Sequence, residues 1–264
     1  MGARAESAID VQGLECRYGE FVILENISFE VRTGEVFVIV GGSGCGKSTL
    51  LKNMIGLHEP ARGEIRYFGD AFTNGDSAVR QRCLRSMGIL YQSSALWSAM
   101  TVAENVALPL QEYTDLSARR IAELVRLKLS LVGLEGSGHR FPAELSGGMK
   151  KRAGLARALA LDPKILFFDE PSAGLDPLAS RNLDQLILKI REGLGTTIVV
   201  VSHELESIFT IADRVMMLDA GEKGAIAVGS TEVLRESSDS RVRDFLSRGG
   251  DFAGTGAPSQ QRRG

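Results

Sequence analysis

The run Gly41-Gly42-Ser43-Gly44-Cys45-Gly46-Lys47-Ser48 constrains this chain more than any other stretch. It follows a strand-like apolar segment, residues 35–40, and precedes a helix expected to begin near Thr49. A glycine-rich turn between a strand and a helix, ending in Lys-Ser, is the P-loop pattern. Glycines let the backbone turn so that successive N–H groups point at phosphate oxygens, and the helix that follows adds its positive end. Lys47 is placed to reach β and γ phosphates, and Ser48 to put its hydroxyl on Mg²⁺. A glycine-rich turn without a ligand is the alternative. The strand, the Lys-Ser pair and the helix together argue against it.

The surrounding sequence supplies the frame such a loop needs. Strand-like segments rich in Val, Ile and Phe recur at residues 35–40, 87–91, 164–168 and 196–201, with helical stretches between them. That alternation predicts a largely parallel sheet covered by helices, an α/β fold. Residues 177–194 are expected to form one helix, with Asp176 as N-cap, Pro177 at the first position and Gly195 just past the end. Shorter strands at residues 63–67 and 215–218 are expected as antiparallel additions. Residues 115–134 predict a long helix with Ile121, Leu124 and Val125 facing a core, a candidate helical subdomain inserted into the sheet domain. The folded domain is expected over residues 8–248, with its helical part at about 93–160. Residues 249–264 combine Gly, Ser, Gln, Pro and Arg with few apolar side chains and predict a flexible tail.

Charge and hydropathy exclude some partners. A net charge of -2 offers no excess of positive field, so nucleic acid is not an expected ligand. The longest apolar runs, such as residues 36–40 and 198–201, fall far short of the roughly 20 residues of a membrane-spanning helix. Any membrane role is therefore expected to come through a partner. The first ten residues lack the apolar stretch of a secretory signal, which predicts a cytoplasmic chain. Cys16, Cys45 and Cys83 show neither a disulfide framework nor metal-ligand spacing and are expected as free thiols. Cys45 has two readings. Backbone N–H groups at a helix start would favour its thiolate, with alkylation that nucleotide prevents, or it is a small buried residue that fits the loop.

Two further segments point to the same chemistry. The apolar residues 165–168 end in Asp169-Glu170, which aims two carboxylates at the P-loop. Asp169 suits the outer sphere of Mg²⁺, and Glu170 suits polarising an attacking water. Leu145-Ser146-Gly147-Gly148-Met149 stands just before a helix-forming run at residues 150–161 and makes a second anion-binding helix start. One P-loop already holds a nucleotide, so a second phosphate grip implies a second molecule.

In these motifs and their order the chain resembles the ABC ATPases over about residues 9–229. The resemblance implies a P-loop core of ABC nucleotide-binding type, with an antiparallel β subdomain and an inserted helical subdomain. It also implies that Ser146, Gly147 and Gly148 close over the γ-phosphate of ATP bound by residues 41–49 of a second copy. Tyr18 then corresponds to the aromatic that stacks on adenine. Gln92 corresponds to the glutamine that joins Mg²⁺ and the catalytic water to a permease interface. Ser172 to Asp176 correspond to the loop that crosses the dimer, and His203 to the histidine that contacts the γ-phosphate. Met149 stands where the family usually has glutamine.

Shorter stretches are similar to the ATPases of Mla-type, MCE-associated lipid transporters: Tyr91-Gln92-Ser93-Ser94-Ala95-Leu96-Trp97, Glu104-Asn105-Val106-Ala107-Leu108-Pro109-Leu110, the Met of Leu-Ser-Gly-Gly-Met, and Arg241-Val242-Arg243-Asp244-Phe245-Leu246. This similarity implies an ATP- and Mg²⁺-dependent subunit on the cytoplasmic face of an inner membrane, moving phospholipid or a related lipid. Its expected partners are a second copy, an integral permease, an MCE-domain protein and a STAS-domain protein. Transport of another solute is the nearest alternative. A soluble ABC ATPase is another, although the chain carries neither the long coiled-coil insertion of the DNA-repair type nor the fused second domain of the translation type.

Overall fold

The computed structural model describes residues 6–247. The predicted tail at residues 249–264 lies outside them. The chain opens with a long hairpin, β1 (Ser7–Tyr18) and β2 (Phe21–Arg32), and then enters β3 (Val36–Gly41) and α1 (Lys47–Met54). A second antiparallel turn follows in β4 (Arg62–Tyr67) and β5 (Asp70–Ala71), and then α2 (Ser77–Arg85) and β6 (Met87–Leu90). Three helices come next: α3 (Val102–Tyr113), α4 (Ala118–Leu131) and α5 (Gly147–Ala158). The chain returns to the sheet through β7 (Ile165–Asp169), α6 (Pro177–Leu194), β8 (Thr197–Val201), α7 (Leu205–Ile211), β9 (Arg214–Asp219) and β10 (Gly224–Gly229). The described residues finish with α8 (Thr231–Arg235) and α9 (Ser240–Ser247).

The ten strands among the described residues form two sheets, one in the order β2-β1-β4-β5 and the other β10-β9-β3-β8-β7-β6. All six residues of β3 are buried, because β8 and β9 flank it and both of its faces are covered. Successive side chains of a strand point to opposite faces, and the two faces of β3 feed two separate cores. Val36, Val38 and Val40 join the core shared with helices α3 to α7, whereas Phe37 and Ile39 join the core beneath the antiparallel sheet and α1.

One expectation is corrected here. Residues 215–218 are not an antiparallel addition. They lie in β9, which runs parallel to β3, with Val38 opposite Val215, and is antiparallel only to β10. Helix α7 supplies the crossover from β8 that a parallel strand requires, and its seven residues are short enough to escape notice beside the longer helices. The strand at residues 63–67 does pair antiparallel, with β1.

Caps set the helix ends. The α6 helix matches its expected bounds, with Asp176 Oδ1 accepting the Ala179 N–H at 2.9 Å and Gly195 at φ 64°. The α4 helix is shorter than the expected 115–134. Ser117 caps its start, and at its end Gly133 N–H donates to the Ser130 carbonyl and Leu134 N–H to the Leu129 carbonyl. These paired bonds are a Schellman stop. Ile121 and Val125 are buried and Leu124 is half-buried. Helices α6 and α7 meet through a buried polar contact, in which the Ser207 hydroxyl lies 2.9 and 2.8 Å from the two carboxylate oxygens of Asp184. Among the described residues, no helix is long and apolar enough to cross a membrane.

Candidate nucleotide site

Parallel strands send their C-terminal ends to one edge of a sheet, and the chemistry of this chain collects there. Strand β3 ends at Gly41, whose φ is 146°. A Cβ at this position would lie 2.4 Å from the Leu218 carbonyl oxygen and 2.6 Å from Cys45 Sγ, so only glycine fits. Helix α1 begins at Lys47, two residues earlier than expected, and takes Ser48 and Thr49 into its first turn. Lys47 Nζ folds back over the loop and donates to the carbonyls of Gly41 at 2.8 Å and Gly42 at 3.0 Å. Cys45 is only 2% exposed. Its environment matches the small buried residue of the second reading rather than an accessible thiolate.

At the end of β7 the chain makes an abrupt change of direction. Glu170 has φ 47°, a left-handed backbone that residues with a Cβ rarely adopt. Its N–H donates to the Val201 carbonyl at 2.9 Å, which ties the turn to the end of β8. His203, just beyond β8, places Nδ1 at 2.9 Å from Glu170 Oε1. With the proton on Nδ1, Nε2 is the acceptor nitrogen of the ring, on a side chain that is 62% exposed. Glu170 Oε2 and Ser172 Oγ are buried and have no hydrogen-bond partner among the described residues. Asp169 is driven above its ordinary pKa by burial first and then by the charge of Glu170, against the opposing pull of Lys52, Lys151 and Lys47. Asp169 and Gln92 line one cleft, together with Tyr91, Ser93, Ala173 and Gly174. Sequence positions 92, 169, 170 and 203 are thus gathered at one end of the sheet.

The remaining expected residues sit elsewhere. Ser146 caps α5, its hydroxyl accepting the Met149 N–H at 3.3 Å, and Gly147 and Gly148 form the first helical turn rather than preceding it. These three residues share a cleft with Gly174 and Asp176, and no residue from 41 to 49 lines it. Within one copy the helix start at Ser146 thus stands apart from residues 41–49. Tyr18, at the tip of the first hairpin, is 41% exposed, and its ring meets His58 edge-on with centroids 5.2 Å apart.

Two residues of this region escaped the sequence reading. Lys151 Nζ donates to the carbonyls of Gln92 at 2.6 Å and Glu170 at 3.2 Å. Arg157 donates to the carbonyls of Ala95 at 2.8 Å and Ser94 at 3.1 Å. A basic run such as Lys150-Lys151-Arg152 ordinarily marks a solvated helix face, and nothing in it distinguishes the buried lysine. Farther along the same loop Trp97 is 61% exposed, while the buried Asn105 amide holds its backbone, accepting the Trp97 N–H at 2.8 Å and donating to its carbonyl at 3.1 Å.

Comparison with known proteins agrees with this geometry. The family model described as ABC transporter matches residues 24–173. The intermembrane phospholipid transport system ATP-binding protein MlaF of Haemophilus influenzae is 39% identical over 241 residues, spanning 91% of this chain and 90% of that one. The probable ribonucleotide transport ATP-binding protein mkl of Mycobacterium leprae is 41% identical over 239 residues, which cover 90% of this chain and 68% of the longer relative. Among solved structures, the dimeric post-hydrolysis state of the ATP-binding cassette MJ0796 bound to ADP and Pi superposes with a TM-score of 0.76 at 28% identity, covering 84% of this chain and 98% of that one.

Proposed function

The chain belongs to the ABC transporter family as an ATP-hydrolysing subunit, and from that premise we propose that it drives the movement of phospholipid or a related lipid between bacterial membranes. The observation that supports the hydrolytic half is the convergence of the P-loop, the Gln92–Asp169 cleft and the Glu170–His203 pair on one sheet edge. The lipid half rests on likeness to MlaF across nine-tenths of both chains.

In this reading residues 41–49 cradle the phosphates of ATP, and Lys47 leaves the Gly41 and Gly42 carbonyls for the β and γ oxygens. Tyr18 stacks on the adenine. The residues fit Mg²⁺: Asp169 carries a carboxyl whose ionisation burial resists, and beside it the buried Oε2 of Glu170 is unpartnered, both of which a cation offsets. Ser48, Gln92 and Asp169 would hold it, and it would supply neutralisation of the charge on the leaving phosphates. Glu170 polarises the attacking water, and His203, oriented by its bond to Glu170, presents Nε2 to the γ-phosphate. Ser146, Gly147, Gly148 and Asp176 serve the nucleotide of a second copy, in keeping with their separate cleft. Closure on ATP and opening after hydrolysis then move a membrane permease.

The partners of this reading are an inner-membrane permease, an MCE-domain protein and a STAS-domain protein, which place the chain at the cytoplasmic face of that membrane. The name of the mycobacterial relative attributes ribonucleotide transport to that protein, so the test must separate the two cargoes. The complex is purified by a tag on this chain, reconstituted into vesicles, and supplied with fluorescent phospholipid or labelled ribonucleotide. ATP-dependent lipid movement that is lost in Glu170→Gln, with ATP still bound, is expected. Copurification without any integral membrane protein, or movement of ribonucleotide alone, refutes the proposal.

A further inference from the structure

Helix α5 begins with the Ser146-Gly147-Gly148 turn, and its next residues form a row against the segment that carries Gln92. Lys151, Gly154 and Arg157 stand at intervals of three and share one helix face. Gly154 lets that segment approach so closely that a Cβ there would lie 2.8 Å from Leu90 Cδ1 and 3.2 Å from the Ser94 carbonyl oxygen. Arg157 grips the carbonyls of Ser94 and Ala95, two residues held at φ 63° and 46°. Lys151, 5% exposed, reaches farther inward to the main chain of both Gln92 and Glu170.

The ammonium group is therefore the one described link that bridges the ends of β6 and β7 from α5. It meets Glu170 where the backbone is left-handed, so both peptide groups of that residue are anchored, the N–H to Val201 and the carbonyl to Lys151 and to the Ala173 N–H, each at 3.2 Å. Burial lowers the pKa of Lys151, while the charges of Asp169, Glu170 and Glu204 act to keep it protonated. A buried lysine with carbonyl partners, and no ion pair among the described residues, suits the task of holding geometry.

We propose that Lys151 is a positioning residue for ATP hydrolysis, in which its ammonium fixes the main chain of Glu170 and Gln92 at the angle that aims their side chains at the attacking water. This rests on the roles assigned above to Glu170 and Gln92. Lys151 touches no phosphate in this scheme, so its loss separates turnover from binding.

The experiment measures ATP hydrolysis and ATP binding by Lys151→Met, Lys151→Gln and Lys151→Arg in the permease-bound complex, with Glu170→Gln alongside. Misplacement of a catalytic group by about 1 Å can cost about 100-fold, and a kcat loss approaching that is expected for Lys151→Met. ATP affinity should stay within about twofold, since the P-loop is untouched, and Lys151→Arg should recover much of the loss because a guanidinium can still donate to both carbonyls. Where Lys151→Met does not fold, Lys151→Gln is held to the same criteria. A kcat within about threefold of wild type, while Glu170→Gln is inactive, overturns the positioning role alone. Equal losses of binding and turnover without rescue by arginine also overturn it, as they mark a residue that only stabilises the fold. Undiminished turnover in Glu170→Gln removes the underlying reading and this proposal with it.

Discussion

The buried Asp184 should make the fold less stable as pH rises, and Asp184→Asn should abolish that dependence. Asp184 is 3% exposed, and burial pushes its pKa up to about 6, against the downward pull of the Ser207 hydroxyl and with the added charges of Glu204 and Glu206. Of these, Glu206 is itself paired with Arg181 of α6 at 2.7 Å. In the unfolded chain the carboxyl ionises near its ordinary value of 3.8. Between that value and about 6 the folded protein keeps a proton that the unfolded chain has released, so stability falls through this window and the loss is complete above it. A change of that size corresponds to about 3 kcal/mol, an upper figure once local relaxation is allowed. Asparagine keeps an oxygen for Ser207 and does not ionise. Urea unfolding of both proteins at pH values from about 4.5 to 7.5, which covers most of the window and the plateau above it, should show the variant gaining on wild type up to about pH 6 to 7, with a constant advantage of about 1 to 3 kcal/mol beyond. A difference that does not vary with pH, or a variant that is the weaker protein at neutral pH, refutes the argument.

Two substitutions probe the site and its surroundings. Lys47→Ala removes the cation that now bridges the Gly41 and Gly42 carbonyls, and should weaken ATP binding by about 10- to 100-fold, the worth of a charged hydrogen bond; calorimetric affinity equal to wild type would contradict the phosphate role. Trp97→Ala trims an exposed side chain whose backbone Asn105 holds in place, so stability should change by less than about 0.5 kcal/mol while recovery of the permease in a pull-down falls. Unchanged permease recovery would show that Trp97 lies outside the permease interface.

Much of this architecture was legible because its signals are local. The P-loop, the acidic end of β7 and the caps of α6 each declare themselves within a few residues, since strand burial, φ above zero and capping bonds are short-range demands. The direction of β9 was not legible, because Arg214–Asp219 has the same apolar pattern whether its neighbour runs parallel or antiparallel. Helix α4 ended three residues early through Gly133, whose role as a stop depends on where the following Leu134 turns back. Lys151 was invisible for a related reason. Its partners are main-chain carbonyls 59 and 19 residues away, and a carbonyl leaves no trace in residue type. Cys45 is ambiguous in the sequence because its burial against the Gly41 backbone depends on how the loop folds back.

The strand order also carries a temporal consequence. Both neighbours of β3 in the sheet, β8 and β9, are encoded more than 150 residues downstream, with Val36 opposite Ile198 and Phe37 opposite Arg214. A ribosome adding about 5 to 20 residues per second needs roughly 8 to 30 s to cross that interval. Throughout it, the all-apolar β3 strand and the loop it carries have emerged without either partner, while β1, β2 and β4 can already pair among themselves. The antiparallel sheet, with its core side chains Phe29 and Leu24, is then the surface available to shelter Phe37 and Ile39 during synthesis. The opposite face, Val36, Val38 and Val40, has no such shelter until the helices that share its core, α3 to α7, have followed. A nascent chain stalled soon after α2 would therefore expose an apolar face at the strand that later holds residues 41–49.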